Sequence, residues 1–528
     1  MKTLLFTLSL LIFSHSFAQV DPNIDWKVIE DSHARWIYDS RHKDLILQYR
    51  KNFRKAFPRL KKMFLEVPDK TTFVISDHTD MPNGSATVLP YPLINLFPVI
   101  PIPTSGIGET NDSFFEILVH EYTHILNLYP VHGGMRILNA IFGSIVHPNM
   151  LLPRWYLEGL AVYSESYFNP KGGRLRSQNF EGMVRAISLN NSWHKYTLDK
   201  INDPKPDWVG GQRPYLLGGA LMHNIFTSNG NKEIHGLNQR YSKRLPYIIN
   251  GPLKDFNKIG YSRTLDQTYG QLLEKAKNQQ KLIRASPITQ GQQVPEQGYN
   301  SYRPRVSPDG SLLSFISRQH NVRSALYLVK RTANNDFLSP PIELVSGDGI
   351  THIAWSADSH LLVYNKIETH KRYYKYSDLF TYNVKTKKHQ RQTHGARVSG
   401  ITYTSDSTKI FFIQNKTGHK QIAQLDLSTK ATSTLYKPAS LGTTIYGLTA
   451  QGSKLLFVEK TPSQQWLKQI DTAAGGVPTV ISKIEGMTSL LLTTKGLLFS
   501  SKQSGVDNLY LVKNFAPSTQ WQAEPVTN

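Results

Sequence analysis

The residues best placed to do chemistry in this 528-residue chain are His120, Glu121 and His124, within the run His120-Glu121-Tyr122-Thr123-His124. On a helix, positions i and i+4 share a face, so both imidazoles can bind one metal ion while the Glu121 carboxylate lies beside it. The helix is expected independently of the motif. Ser113 and Glu116 form a capping-box pattern ahead of an apolar run, which predicts a helix over Phe114–Leu128. A third ligand is needed, and the run Trp155-Tyr156-Leu157-Glu158-Gly159 through Tyr163 and Glu165 offers it. Glu158 and Glu165 lie seven residues apart on one helical face. Glu158 would complete a two-histidine, one-carboxylate site for one zinc ion per chain and leave its fourth position to water. The chain has no Cys, so thiolate zinc sites, thiol catalysis and disulfides are excluded together.

In these residues the chain resembles the gluzincin metallopeptidases, the thermolysin and aminopeptidase N group. The aminopeptidase branch reads W-x-x-E-G-x-x-x-Y-x-E around its third ligand, and Trp155, Glu158, Gly159, Tyr163 and Glu165 occupy those places. The gap from His124 to Glu158 is longer than that branch uses, which implies an insertion over about 129–153. Pro214-Tyr215-Leu216-Leu217-Gly218 is similar to the setting of that branch's transition-state tyrosine, so the resemblance implies Tyr215 as a donor to the developing oxyanion. It also implies a substrate-pairing edge strand at Asn83, Gly84, Ser85 and Ala86, continuing to Ile94-Asn95-Leu96. The aminopeptidases hold the substrate's free amine with a glutamate there. No acidic residue occurs between Met81 and Gly108, a departure that leans toward cleavage inside a chain. Glu121 is then the general base, and Glu165 either steadies a ligand imidazole or is a surface carboxylate. His132 and His147 read as structural or exposed, and the apolar stretch Ile137–Leu152 as a lid or as packed core.

The elements that must position these groups change character near residue 286. Helical runs are expected at Asp44–Phe64, Leu157–Tyr167, Tyr215–Phe226 and Leu265–Lys277, with a short strand at Thr71–Ser76. From 287 onward, short alternating strands follow turn signals that repeat. Arg305-Val306-Ser307-Pro308-Asp309-Gly310 returns as Ala354-Trp355-Ser356-Ala357-Asp358-Ser359 and as Tyr403-Thr404-Ser405-Asp406-Ser407. Weaker copies end at Gly452 and Gly496. Turn residues 310, 359, 407, 452 and 496 are 49, 48, 45 and 44 apart, a period that suits one four-stranded propeller blade. The S-P-D-G turn before a hydrophobic strand resembles the TolB-type periplasmic propellers. Five blades are legible and six are open, because Pro287-Ile288-Thr289-Gln290-Gly291 reads as an outermost strand able to pair with the last blade.

The fold class expected is therefore an α+β gluzincin-like metallopeptidase domain (19–285) followed by an all-β propeller (286–528). Residues 1–18 read as a signal peptide: Lys2, the apolar run Leu4–Phe13, and Ser16-Phe17-Ala18 before a start at Gln19. No later stretch is long enough to span a bilayer, so the mature chain is expected to be exported without a transmembrane segment, to a bacterial periplasm or beyond. The formal charge is +22, densest over Lys366–Arg397. For an exported chain a merely solvated basic surface is the first reading, and an envelope protein, anionic envelope polymer or lipid headgroups at the propeller are favoured over nucleic acid. The function expected is zinc-dependent hydrolysis of peptide bonds in a peptide or protein substrate. The alternative is a non-catalytic envelope scaffold with a vestigial metal site. A serine peptidase is excluded by the absence of a G-x-S-x-G elbow.

Overall fold

Two strands with little sequence signature, β1 (Trp26–Glu30) and β2 (Ala34–Asp39), begin the first sheet of this computed structural model. It describes residues 20–103, 111–169, 172–203, 208–209, 211–244, 249–295, 297–318, 323–513, 515 and 523–527. The expected leader, residues 1–18, and the expected start at Gln19 lie outside the described residues. Helix α1 (Lys43–Phe64) follows, then β3 (Thr71–Ile75), β4 (Gly84–Thr87) and β5 (Leu93–Leu96). The sheet order is β1-β2-β3-β5-β4, so β4 is an edge strand, paired antiparallel to β5. The stretch read as one strand is thus a hairpin, with Asn83 just before it.

The helices are α2 (Ser113–Leu128), α3 (Gly133–Phe142), α4 (Arg154–Phe168), α5 (Gln178–Leu189), α6 (Leu198–Asn202), α7 (Arg213–Asn229), α8 (Lys232–Tyr241), α9 (Asn250–Asn257) and α10 (Tyr261–Ile283). Helix α2 carries apolar residues on nearly every side and is buried accordingly. Its Tyr122 ring meets Phe53 of α1 edge-on at 5.2 Å, and Trp36 stacks on Phe73 at 4.3 Å beneath. Its cap differs from the expected one. Asp112, not Ser113, accepts the Phe115 N–H at 3.0 Å, which frees Glu116 to turn inward.

Helices α4 and α7 cross with their backbones in contact. A Cβ on Gly159 would lie 2.5 Å from the Gly218 carbonyl, and one on Gly218 would lie 2.2 Å from the Trp155 oxygen. That contact decides the site. Glu158 stands just before one glycine and Tyr215 one turn before the other, so close packing brings both side chains to one place.

Beyond Ile283 the described chain forms five antiparallel four-stranded sheets spanning 300–347, 353–391, 398–436, 444–483 and 487–525. They are the blades of a five-bladed propeller. The sequence repeat has a physical cause. Ser307, Ser356 and Thr404 each hydrogen-bond the aspartate two residues on, and each accepts the N–H of the residue that opens the following strand, at 2.9–3.0 Å. Residues 310, 359, 407, 452 and 496 all take positive φ. The last two copies lack the aspartate and so read faintly. One expectation is corrected: Pro287–Gly291 forms no strand and is exposed, and the outermost strand of the fifth blade is Glu524–Pro525. The chain's C-terminal segment satisfies that edge instead, leaving five blades among the described residues.

The two halves are clamped where the loop between β3 and β4 meets the second and third blades. Arg397 donates to both oxygens of Asp77 at 2.8 and 2.7 Å and to Asp80 at 2.8 Å. Tyr376 donates to the Asp77 carbonyl, and the Ser377 N–H to Asp80. The dense basic stretch therefore divides: Arg397 is consumed inside the molecule, while Lys385, Lys387 and Lys388 remain exposed. Burial would raise Asp77, but the Arg397 charge wins and holds it at about 2. Asp80 moves upward, because burial outweighs its share of Arg397. Arg397→Ala takes the guanidinium from two buried carboxylates, leaving Asp77 only His42 and Asp80 only the neutral donors Ser377 N–H and Asn415. It should cost about 3–5 kcal/mol, read from the denaturant midpoint. The Asp77 contribution is complete above its ordinary value near 4 and is lost as pH falls through about 2. A variant as stable as the parent at neutral pH would remove the clamp from the account. Among the described residues no helix is long and apolar enough to cross a membrane.

Candidate metal centre

Helices α2 and α4 bring His120, His124 and Glu158 together. The separations His120 Nε2–Glu158 Oε2, His124 Nε2–Glu158 Oε2 and His120 Nε2–His124 Nε2 are each 3.3 Å. Tetrahedral ligands about 2.0–2.1 Å from a zinc ion stand about 3.3 Å apart, so the donor triangle has the size such an ion requires. Among the described residues these three are the one cluster of histidine and carboxylate groups able to hold a metal ion. The electrostatics agree. Burial opposes charge on Glu158, yet hydrogen bonds from His120 and His124 hold it far below the usual carboxylate range. Burial and Arg174 push His120 down, but Glu158 and Glu165 overcome them and raise it to about 9. The pocket favours positive charge at this point.

Glu165 is buried, 3% exposed, and lies behind the triangle rather than on the surface. Its Oε2 is 3.0 Å from His120 Nδ1, and Arg174 donates its backbone N–H, Nε and Nη2 to the same carboxylate at 2.8–2.9 Å. Burial would raise Glu165, but Arg174 holds it at about 2, ionised and able only to accept. His120 Nδ1 therefore carries a proton toward Glu165, and Nε2 is the ring nitrogen that faces His124 and Glu158 and would give up its proton to bind a metal ion. Arg174 Nη2 also lies 2.7 Å from Nδ1, a contact two donors cannot share, and both find their acceptor in Glu165.

Glu121 is not a corner of the triangle, but it feels the charges of all three corners and lies against the edge strand. A Cβ on Gly84 would lie 2.8 Å from Glu121 Cγ and Oε1, so β4 runs directly against this carboxylate. Burial moves Glu121 above its ordinary value. Ser85 and Ala86 continue the edge, and Asn83 lines an adjoining cavity of about 60 Å³ with Phe97, Phe114, Glu116 and Arg174. The Tyr215 hydroxyl donates to Glu158 Oε1 at 3.0 Å, and its ring stacks on His120 at 6.2 Å. His132 and His147 stand apart from the cluster: His132 meets Ser242 and Glu66.

Three groups here were not assigned to the site from the sequence. Arg174 reaches back to Glu165 because Gly173, at φ 82°, lets the chain pass close to Ser166, where a Cβ would lie 2.5 Å from the Ser166 Cα and Oγ. The Gly172-Gly173 pair, four residues past the end of α4, is the clue that was available. Arg154 donates to the Tyr215 hydroxyl at 3.4 Å. Glu116, raised to about 8 by burial and the Glu165 charge, accepts from Asn169 at 2.6 Å.

No family model matches the chain, and no curated protein does. Solved structures similar to it include TolB of Acinetobacter baumannii, at 17% identity over 42% of this chain and 56% of that one, with a TM-score of 0.34. A TolB protein of Agrobacterium tumefaciens aligns at 20% identity over 33% of this chain and 62% of that one, TM-score 0.29. A prolyl endopeptidase aligns at 12% over 42% of this chain and 35% of that one, TM-score 0.32. The chain thus spans less than two thirds of each of them. These likenesses accompany a propeller that the five sheets establish on their own, and any activity rests on the site.

Proposed function

We propose that the chain is an exported zinc-dependent peptidase that cuts inside peptide chains, with its propeller serving binding or gating. The observation that carries this reading is the donor triangle of His120, His124 and Glu158 at mutual distances of 3.3 Å beside a buried Glu121 that touches an edge strand. His120, His124 and Glu158 would hold a zinc ion, which would supply Lewis acidity and acidify a water near neutral pH. Glu121, beside that position, would accept a proton from the attacking water and return it to the leaving nitrogen. The free edge of β4 offers its backbone to an extended substrate. Glu165 and Arg174 fix the His120 ring and its tautomer.

The lean toward internal cleavage rests on the acid-free run from Met81 to Gly108 and on the engagement of nearby Glu116 by Asn169. The test is an unbiased peptide mixture incubated with the purified chain. Internal cleavage that stops with a chelator and returns with zinc supports the reading. Trimming from the amino end would replace internal cleavage with aminopeptidase action, and no cleavage by the zinc-loaded chain would favour the scaffold.

Tyr215 is proposed to donate to the oxyanion. Tyr215→Phe should lower kcat by about tenfold or more with little change in KM, as loss of an interaction made mainly in the transition state does. The hydroxyl also serves Glu158 in this structure, so zinc affinity is measured alongside. A fall in affinity with kcat intact would reassign the tyrosine to holding the ligand.

A further inference from the structure

Helix α3 stands out because none of its ten residues is buried, although it is rich in large apolar side chains. Ile137, Leu138, Ile141 and Phe142 are 65, 39, 67 and 60% exposed, and Ile145 and Leu151 beyond the helix are 69 and 65% exposed. The first four fall at i, i+1, i+4 and i+5, which places them on one side of the helix. The stretch read as lid or core divides: its first part, through Ile145, is exposed, while Pro148, Asn149 and Leu152 are buried. Its base is riveted: Asn149, fully buried, donates to the Asn127 carbonyl at 2.7 Å, and His132 Nδ1 meets Ser242 Oγ at 2.6 Å. Its tip is held by Asn139, which donates to the carbonyls of Gly143 and Val146 at 3.2 and 3.0 Å. An apolar surface is thus built and held out on a fixed stalk.

The charge around it has one sign. No acidic residue occurs between Glu121 and Glu158 in the sequence. Arg136 lies on the helix, Lys243 packs beside Gly133 at its start, and Arg244 follows, all exposed. Glu66, which reaches the base, is engaged by His132 Nε2 at 3.0 Å. At about 15 Å the helix is far too short to span a bilayer. A short helix with an apolar side and a cationic rim suits the boundary between headgroups and acyl chains of an anionic bilayer. We propose that α3 and the turn after it dock this protein on an anionic lipid surface. In that arrangement the apolar side enters the acyl boundary, and Arg136, Lys243 and Arg244 sit among the headgroups. The proposal does not depend on the metal centre.

The test is co-sedimentation of the full chain with vesicles of phosphatidylcholine, with and without phosphatidylglycerol. It is run with and without residues 1–18, so that the apolar run Leu4–Phe13 is not mistaken for this surface. The expected result is binding to the anionic vesicles that weakens with salt. The double substitution Ile141→Ser, Phe142→Ser should weaken it by at least about tenfold. Arg136→Glu with Lys243→Glu should also weaken it and remove most of the salt dependence. All four positions are exposed, so the melting midpoint should stay at the parent value. Equal binding by the serine variant, or none by the parent, overturns the proposal. So does a parent dimer that the serine variant splits into monomers, because the face is then a contact between copies. A changed kcat on a short soluble peptide, with vesicle binding intact, would make α3 a lid instead.

Discussion

Glu121→Gln is expected to keep its zinc and lose about 10²–10⁴-fold in kcat on any peptide the parent cleaves. The glutamine has the same shape, and Glu121 is not a corner of the 3.3 Å donor triangle, so metal content should stay near one per chain. What it lacks is basicity. Burial raises the Glu121 carboxyl above its ordinary value, which brings it nearer the pH at which it must accept a proton and give it back. The wall opposite is Gly84, so close that any side chain there would displace the carboxylate. Elemental analysis and single-turnover kinetics on one peptide decide the matter together. Turnover within a few-fold of the parent would remove Glu121 from the chemistry, and loss of zinc would show that it holds the metal instead.

The part of this site legible in the sequence is the part made of local spacing. His120 and His124 share a helical face because 3.6 residues make a turn, and the same arithmetic puts Glu158 and Glu165 on one side of α4. Gly159 and Gly218 were also legible, and the structure gives their reason: two helix backbones touch there. The propeller was readable because each turn repeats one hydrogen-bond pattern of serine or threonine with aspartate, and it faded where the aspartate did. What could not be read depends on separation. Arg397 and Asp77 are 320 residues apart, and no pattern in either segment names the other. Arg174 is chosen by a backbone turn rather than a spacing. The cap was misread because Asp112 and Ser113 are both good capping residues, and only the inward turn of Glu116 decides between them. The apolar run 137–152 left lid and core both open because hydropathy reports what a segment prefers to bury, not whether the fold provides a place for it; only its end, at Pro148, Asn149 and Leu152, is buried.

The double substitution His120→Ala, His124→Ala is expected to abolish zinc binding while leaving the chain folded. Two of three donors go, and the remaining Glu158 keeps only the Tyr215 hydroxyl and Arg154 as partners. One carboxylate does not hold zinc against water. The loss should be confined to α2 and α4, since the blades pack around hydrophobic clusters of their own. A measurement free of activity separates this from a merely structural role. A ligand that binds only the folded state stabilises it by about 4 kcal/mol at a thousandfold excess over its dissociation constant. Zinc should therefore raise the melting midpoint of the parent, and a chelator should lower it. Neither should move the midpoint of the double variant. Glu165 offers an internal control. With His120 gone it remains paired to Arg174 through three hydrogen bonds, so its end of α4 should stay ordered. Stoichiometric zinc in the double variant, or a midpoint that still follows added zinc, would place the ion elsewhere and sink the assignment of His120, His124 and Glu158.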